Sequence, residues 1–293
     1  MAKGPRDDTA EEAERVARRI LDLLRTPPAK PDFRAGYLDL LGPHTGPTPG
    51  IIQQAMQSRI LPHIYERLWR PAWFNFAKGW PLGPDTTQEE ALARAWLGLA
   101  QPSDRHKPAA TVLDVACGPG NLTRALATGI ARRVTEPHKA EGLVVGIDIS
   151  PNMLAHAVRA TAQPRQPPHA PSPARENGAP DIGYVRGDAS ALPFRDSTFD
   201  AVCCFGALYL IPAPWAALDN MVRVLKPGGR LAILTTRRPA NAAFRLTTEL
   251  ASRTVGIRMF DEEELTLALT DRGLDQLRQR NLPILQLVAG RRV

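Results

Sequence analysis

The stretch TVLDVACGPGN, Thr111 to Asn121, constrains what this chain can fold into more than any other. Thr111 to Val115 is a short apolar run with β-branched residues, the pattern of a strand buried on both faces. It breaks at Cys117-Gly118-Pro119-Gly120 and passes into a helical pattern, Leu122 to Ala127. A strand that runs through glycines into a helix lets a ligand approach the backbone and meet the unpaired N–H groups at the helix start, a geometry suited to nucleotides. Glycine turns of this kind also serve plain packing, so the weight comes from the strands downstream.

LVVGIDIS, Leu143 to Ser150, is a second apolar strand, and it ends in Asp148. In a doubly wound sheet that position offers a carboxylate to ribose hydroxyls. Ser150 and Pro151 then open a helix as N-cap and first helical residue. YVRGDASALPF (Tyr184 to Phe194) gives a third strand with Asp188 at its carbonyl end, and FDAVCCFGALYLI (Phe199 to Ile211) and LKPGGRLAIL (Leu225 to Leu234) give two more.

These five blocks, in this order across Thr111 to Leu234, resemble the class I S-adenosylmethionine-dependent methyltransferases, in particular the type 11 subgroup with the ubiquinone and menaquinone C-methyltransferases. The resemblance implies a doubly wound, Rossmann-like α/β fold with a seven-stranded, mostly parallel sheet, an antiparallel last strand and an N-terminal helical lid. It also implies S-adenosyl-L-methionine as cofactor and in-line methyl transfer to a small-molecule acceptor. Carried over residue by residue, Asp114, Ala116, Cys117, Gly118 and Gly120 cradle the methionine end, and Asp148 holds both ribose hydroxyls. Ile149 and Met153 pack on the adenine, Asp188 accepts from its exocyclic amine, Ala189 contributes backbone, and Phe205 borders the sulfonium. Tyr65, in YERLW, approaches the cofactor's carboxylate with Arg70 as companion. Ala116 departs from the pattern, standing where the family has the first glycine of G-x-G-x-G.

The 293 residues divide into an N-terminal helix with a Pro/Gly-rich linker (1–50), an aromatic and basic lid or cap (51–108) and the cofactor-binding domain (109–293), interrupted by a proline-rich mobile loop at 161–180. Residues Thr9 to Leu24 have one apolar helical face, read as a docking helix. Within the linker, RAGYLDLLG resembles a phrase that in related methyltransferases follows a metal-binding cysteine cluster absent here. The net charge of +7 permits an anionic ligand, but the basic residues are spread along the chain and no nucleic-acid partner is expected. Cys117, Cys203 and Cys204 read as reduced core thiols, the histidines show no metal spacing, and no window reaches the ~18 apolar residues of a membrane span. The expectation is a cytoplasmic enzyme without a metal.

For chemistry, Tyr209 stands about where many relatives carry a histidine after the fourth strand, and His63 on the lid is the other candidate base. Trp69, Trp73 and Arg237 are candidate acceptor contacts, Arg237 because it follows the fifth strand at the carbonyl edge. Cys204-Phe205-Gly206-Ala207 lacks the Asp-Pro-Pro-aromatic tetrad of amino-directed nucleic-acid enzymes. Two alternatives stay open: a catalytically inactive S-adenosylmethionine-binding protein, and an NAD(P)-dependent oxidoreductase, although G-x-G-x-x-G lacks its third glycine here. The acceptor, the atom methylated and the oligomeric state are not legible.

Overall fold

The computed structural model describes residues 5–42, 86–99, 110–131, 142–162, 180–239 and 256–293, with Asn241, Arg245 and Thr248. Its frame is an eight-stranded sheet in the order β1-β4-β3-β2-β5-β6-β8-β7. The strands are β1 (Leu38–Asp39), β2 (Thr111–Val115), β3 (Leu143–Asp148), β4 (Asp181–Arg186), β5 (Phe199–Phe205), β6 (Leu225–Thr236), β7 (Leu274–Asn281) and β8 (Leu285–Arg292). Pairings from β1 through β6 are parallel, and β8 pairs antiparallel with both β6 and β7. The last strand alone therefore runs against the rest.

Among the described residues the α-helices are α1 (Pro5–Leu23), α2 (Thr86–Trp96), α3 (Asn121–Ala131), α4 (Pro151–Ala162), α5 (Pro214–Val224) and α6 (Glu264–Asp271). The near-continuous apolar reading of β2 and β3 follows from cover on both faces. On one face, Leu113, Val115, Val145 and Val202 pack with Ile20 and Leu24 of the N-terminal segment, Leu218 and Met221 of α5, and Leu265 and Leu269 of α6. On the other, Val112, Val144 and Cys203 pack with Leu126 and Ile130 of α3 and with Leu97 and Leu99 after α2. On that side Tyr184 of β4 also packs with Leu154 and Ala157 of α4.

The strand count is one more than the seven expected. Leu38 and Asp39, in the stretch read as linker, pair parallel with Val185 and Arg186. Two residues are too few for a period of two to be read from sequence. Ahead of them α1 lies on the start of β4, where Arg15 and Arg19 each donate to Asp181 at 2.6 Å and Asp181 is only 1% exposed. Ile20 fills the space a side chain at Gly183 would need.

Candidate functional site

Parallel strands β2 to β5 end on one edge of the sheet, so the loops after them converge. After β2 the chain enters the left-handed region at Ala116 (φ +55°), Gly118 (φ +52°) and Gly120 (φ +72°). A methyl group at 116 therefore sits in a conformation that costs a non-glycine residue about 1–2 kcal/mol, which gives the family's glycine there a conformational reason. The two glycines differ in what lies beside them. A Cβ at Gly118 would meet nothing within 4 Å, whereas one at Gly120 would lie 2.5 Å from the Tyr184 hydroxyl and 3.1 Å from Cβ of Ala157. Gly118 thus faces open space, and Gly120 lets the loop close down on Tyr184.

Asp148 ties this loop to the next one. The N–H of Gly118 donates to its Oδ2 at 2.9 Å, and the N–H of Ser150 donates to its Oδ1 at 2.8 Å. Burial raises the pKa of Asp148, opposed by the backbone N–H groups of Ser150, Gly118 and Ile149 that favour the carboxylate. Ser150 accepts from Met153 N–H at 3.3 Å and caps α4 as the sequence predicts. Ile149, next to this carboxylate, is 51% exposed, an apolar shelf, while Met153 is buried. Asp188, exposed after β4, accepts from Ser190 N–H at 2.8 Å and caps the single helical turn Ala189–Ala191.

Asp114 is buried at the end of β2 and held by a group that the sequence does not point to. Thr123, in the first turns of α3, donates to its Oδ2 at 2.7 Å, and the Cys203 thiol lies 3.5 Å from Oδ1. Nothing in the sequence separates Thr123 from an ordinary helix residue. Tyr184 likewise reads as nothing more than strand; its hydroxyl lies 2.9 Å from Thr161, and burial pushes its pKa up to about 12. The Cys117 thiol is pushed up by burial and then by Asp148, so it is no nucleophile.

Phe205 closes β5, half-buried, beside a shallow dimple lined by Glu89 and Leu92 of α2, Leu234, Arg280, Leu282 and Leu287. Tyr209 lies in the helical turn Leu208–Leu210 just beyond, buried in the main core, and its carbonyl accepts from Arg258 N–H at 3.1 Å. The Arg237 guanidinium pairs with Glu262 at 3.1 Å and donates to the carbonyls of Leu282 and Pro283, so it braces the turn into β8. His63, Tyr65, Trp69, Arg70 and Trp73 lie outside the described residues, as do the 163–179 loop and most of 240–255. No cluster of metal-ligating side chains occurs among the described residues, and no helix among them is long and apolar enough to cross a membrane.

The model of the methyltransferase domain family matches residues 113–233. The 2-phytyl-1,4-naphtoquinone methyltransferase of Thermosynechococcus vestitus is 34% identical over 191 residues, 65% of this chain and 67% of that protein. The chain belongs to the class I S-adenosylmethionine-dependent methyltransferases. The demethylmenaquinone methyltransferase of Shouchella clausii is 33% identical over 135 residues, 46% of this chain and 48% of that protein. The methyltransferase matched here covers between 46% and 67% of the length of such curated relatives. Two solved structures share its fold. One is an S-adenosylmethionine-dependent methyltransferase from Methanosarcina mazei, at TM-score 0.50 and 21% identity, over 64% of this chain and 94% of that one. The other is phosphoethanolamine N-methyltransferase 2 of Haemonchus contortus, at TM-score 0.51 and 16% identity, over 78% and 59%.

The cofactor of this methyltransferase is S-adenosylmethionine, and membership of its family excludes the oxidoreductase alternative. The edge of the sheet fits the cofactor's parts: open space at Gly118, a carboxylate fixed between two loops, and an exposed apolar shelf beside it.

Proposed function

We propose that this enzyme methylates a ring carbon of an apolar hydroquinone. The observation that carries the cofactor assignment is Asp148, whose carboxylate is held between Gly118 and Ser150 at the carbonyl edge. In this reading Asp148 takes both ribose hydroxyls and the Asp114 to Gly120 loop takes the methionine end. Adenine rests on Ile149 above Met153, with Asp188 and the Ala189 backbone at its amine. Phe205 borders the sulfonium, and Leu92, Leu234, Leu282 and Leu287 beside it give that side apolar walls. The relatives, 2-phytyl-1,4-naphtoquinone and demethylmenaquinone methyltransferases, support the acceptor class.

The reaction is a displacement at carbon. An electron-rich ring carbon attacks the methyl, the S–CH3 bond breaks as the C–C bond forms, and the sulfonium becomes a neutral thioether. The ring then loses its proton. The protein's contribution is alignment and exclusion of water, with His63 the candidate to receive that proton and Tyr209 the candidate to orient an acceptor hydroxyl. The same proposal has a cytoplasmic enzyme with no nucleic-acid partner.

The test is transfer of label from methyl-labelled S-adenosylmethionine to reduced demethylmenaquinone, with phosphoethanolamine and a catechol as competing classes. Label in the quinol product, located on carbon, supports the reading. Label in another class overturns the acceptor, and tight binding of S-adenosylhomocysteine without turnover on any acceptor favours a catalytically inactive cofactor-binding protein.

A further inference from the structure

The N-terminal segment is attached to β4 at both ends of that strand, roughly 16 Å apart at the usual rise per residue. At its start, Arg15 and Arg19 of α1 pair with Asp181. At its end, Arg186 is buried, its side chain 6% exposed, and reaches in two directions. Its Nη1 donates to Asp39 Oδ2 at 2.9 Å and to the Gly42 carbonyl at 2.6 Å. Its Nε donates to the Ile149 carbonyl at 3.2 Å. Asp39 is itself fixed, because its Oδ1 accepts from the N–H groups of Leu41 and Gly42, both at 3.0 Å. Residues 38–42 therefore wrap the end of β4, and one guanidinium joins them to the turn that carries the exposed Ile149 side chain.

We propose that residues 38–42 act through Arg186 as a strap that holds the Ile149 turn in the conformation receiving the cofactor's adenosine, so that Asp39 and Arg186 are positioning residues for S-adenosylmethionine. The strap rests on the proposed placement of adenine on Ile149. Arg186 bonds the turn's carbonyl, not its side chain, and so sets where the shelf stands without adding to it. The same turn is tied to the strand end by Gly187 N–H on the Asp148 carbonyl at 3.1 Å. Three elements from distant parts of the sequence thus converge on residues 148 to 150. A planar guanidinium suits this task because it sends donors to three oxygens at fixed angles, which an ammonium does not do. Removing one partner from a buried ion pair also leaves a charge without its counterpart, which favours local rearrangement over a quiet loss.

The two attachments make an internal control. In the full chain, Asp39→Asn and Arg186→Lys are compared with Arg15→Ala/Arg19→Ala by titration with S-adenosylhomocysteine, by thermal melting, and by the KM and kcat for S-adenosylmethionine. The strap predicts that Asp39→Asn and Arg186→Lys each weaken S-adenosylhomocysteine by about tenfold, the equivalent of one lost hydrogen bond in affinity. KM rises with kcat unchanged at saturation, and the double variant Asp39→Asn/Arg186→Lys is no weaker than Arg186→Lys alone. Arg15→Ala/Arg19→Ala lowers the melting temperature and leaves affinity within twofold. A lower melting temperature for Asp39→Asn with affinity within twofold overturns the strap, as does an equal loss of affinity in Arg15→Ala/Arg19→Ala. Ile149→Ser is measured alongside. If it leaves affinity unchanged, the adenine placement itself fails, a result distinct from failure of the strap.

Discussion

Replacing Asp148 tests the cofactor site at its centre. The carboxylate already accepts one backbone N–H on each oxygen, from Gly118 at 2.9 Å and from Ser150 at 2.8 Å, so its orientation is set before any ligand arrives. Each oxygen retains acceptor capacity for a ribose hydroxyl. A hydrogen bond to a charged group contributes about 1.5–3 kcal/mol, and water entering the site of Asp148→Ala recovers part of two such bonds. The expected loss is about 3 kcal/mol, or roughly a hundredfold in the dissociation constant of S-adenosylhomocysteine by calorimetry. Asp148→Asn should lose nearly as much, because its amide nitrogen cannot accept from either backbone N–H. Affinity within threefold of the parent protein, with the fold intact by circular dichroism, would refute the ribose assignment.

The same carboxylate sets a pH dependence. Its folded pKa is raised by burial. For such a group the contribution to apo stability is present below the unfolded pKa, about 3.9, and is lost as pH rises through the folded value. Ribose hydroxyls donate to the ionised form, so cofactor binding gains over the same interval. The rise in melting temperature on adding S-adenosylhomocysteine should therefore grow as pH increases above about 4, and should grow less in Asp148→Asn. A ligand-induced shift with the same pH profile in both proteins would exclude Asp148 as the group responsible.

Three substitutions probe the loop and a fourth the sheet behind it. Gly120→Ala, which meets the Tyr184 hydroxyl at 2.5 Å and has φ +72°, should cost about 2–4 kcal/mol in chemical unfolding, with Tyr184→Phe giving partial rescue. Gly118→Ala, with no neighbour within 4 Å, should cost no more than about 2 kcal/mol while weakening the cofactor; equal destabilisation at both glycines would refute the division between ligand side and packing side. Ala116→Gly relieves a positive φ worth about 1–2 kcal/mol against about 0.4–1 kcal/mol of unfolded-state entropy, so stability should hold or rise, and a loss above about 1 kcal/mol would count against the left-handed conformation. The buried Oγ1 of Thr235 lacks a hydrogen-bond partner, so Thr235→Val should stabilise by about 1 kcal/mol, and a destabilised variant would mean that a bound water satisfies the hydroxyl.

What is legible in the sequence is whatever repeats along a single element. The apolar runs of β2 and β3 announce strands covered on both faces, and Ser150-Pro151 announces a helix start, because each pattern is local. The carboxylate of Asp148 is found by its place at a strand end. Its tie to Gly118 is not, since two loops thirty residues apart in the chain meet only in the folded sheet. Thr123, Tyr184 and Arg186 escape for the same reason: each acts on a partner on another element, and none has a composition that marks it. Arg237 shows another limit. Its position after β6 suggests a ligand contact, and its partners, Glu262 and the carbonyls of Leu282 and Pro283, come into view only in the folded chain. An arginine at a sheet edge is as good a brace for a turn as a hook for an anion.

The residues that escape share a direction. Thr123 holds Asp114 from α3, Tyr184 supports Gly120 from below, and Arg186 holds the Ile149 carbonyl from β4, so each acts on a loop of the proposed cofactor site from its protein side. Loops of this kind carry left-handed residues and a buried carboxylate, both of which cost stability in the absence of ligand. Bonds made on the hidden side offset that cost without occupying the surface the cofactor needs. The arrangement lowers the entropy lost on binding, because the loops are ordered beforehand. It follows that substitutions behind the loops should weaken the cofactor through lost order, while those in front weaken it through lost contacts. The two kinds separate in calorimetry: the former carry a larger unfavourable binding entropy than the parent protein, and the latter a smaller favourable enthalpy.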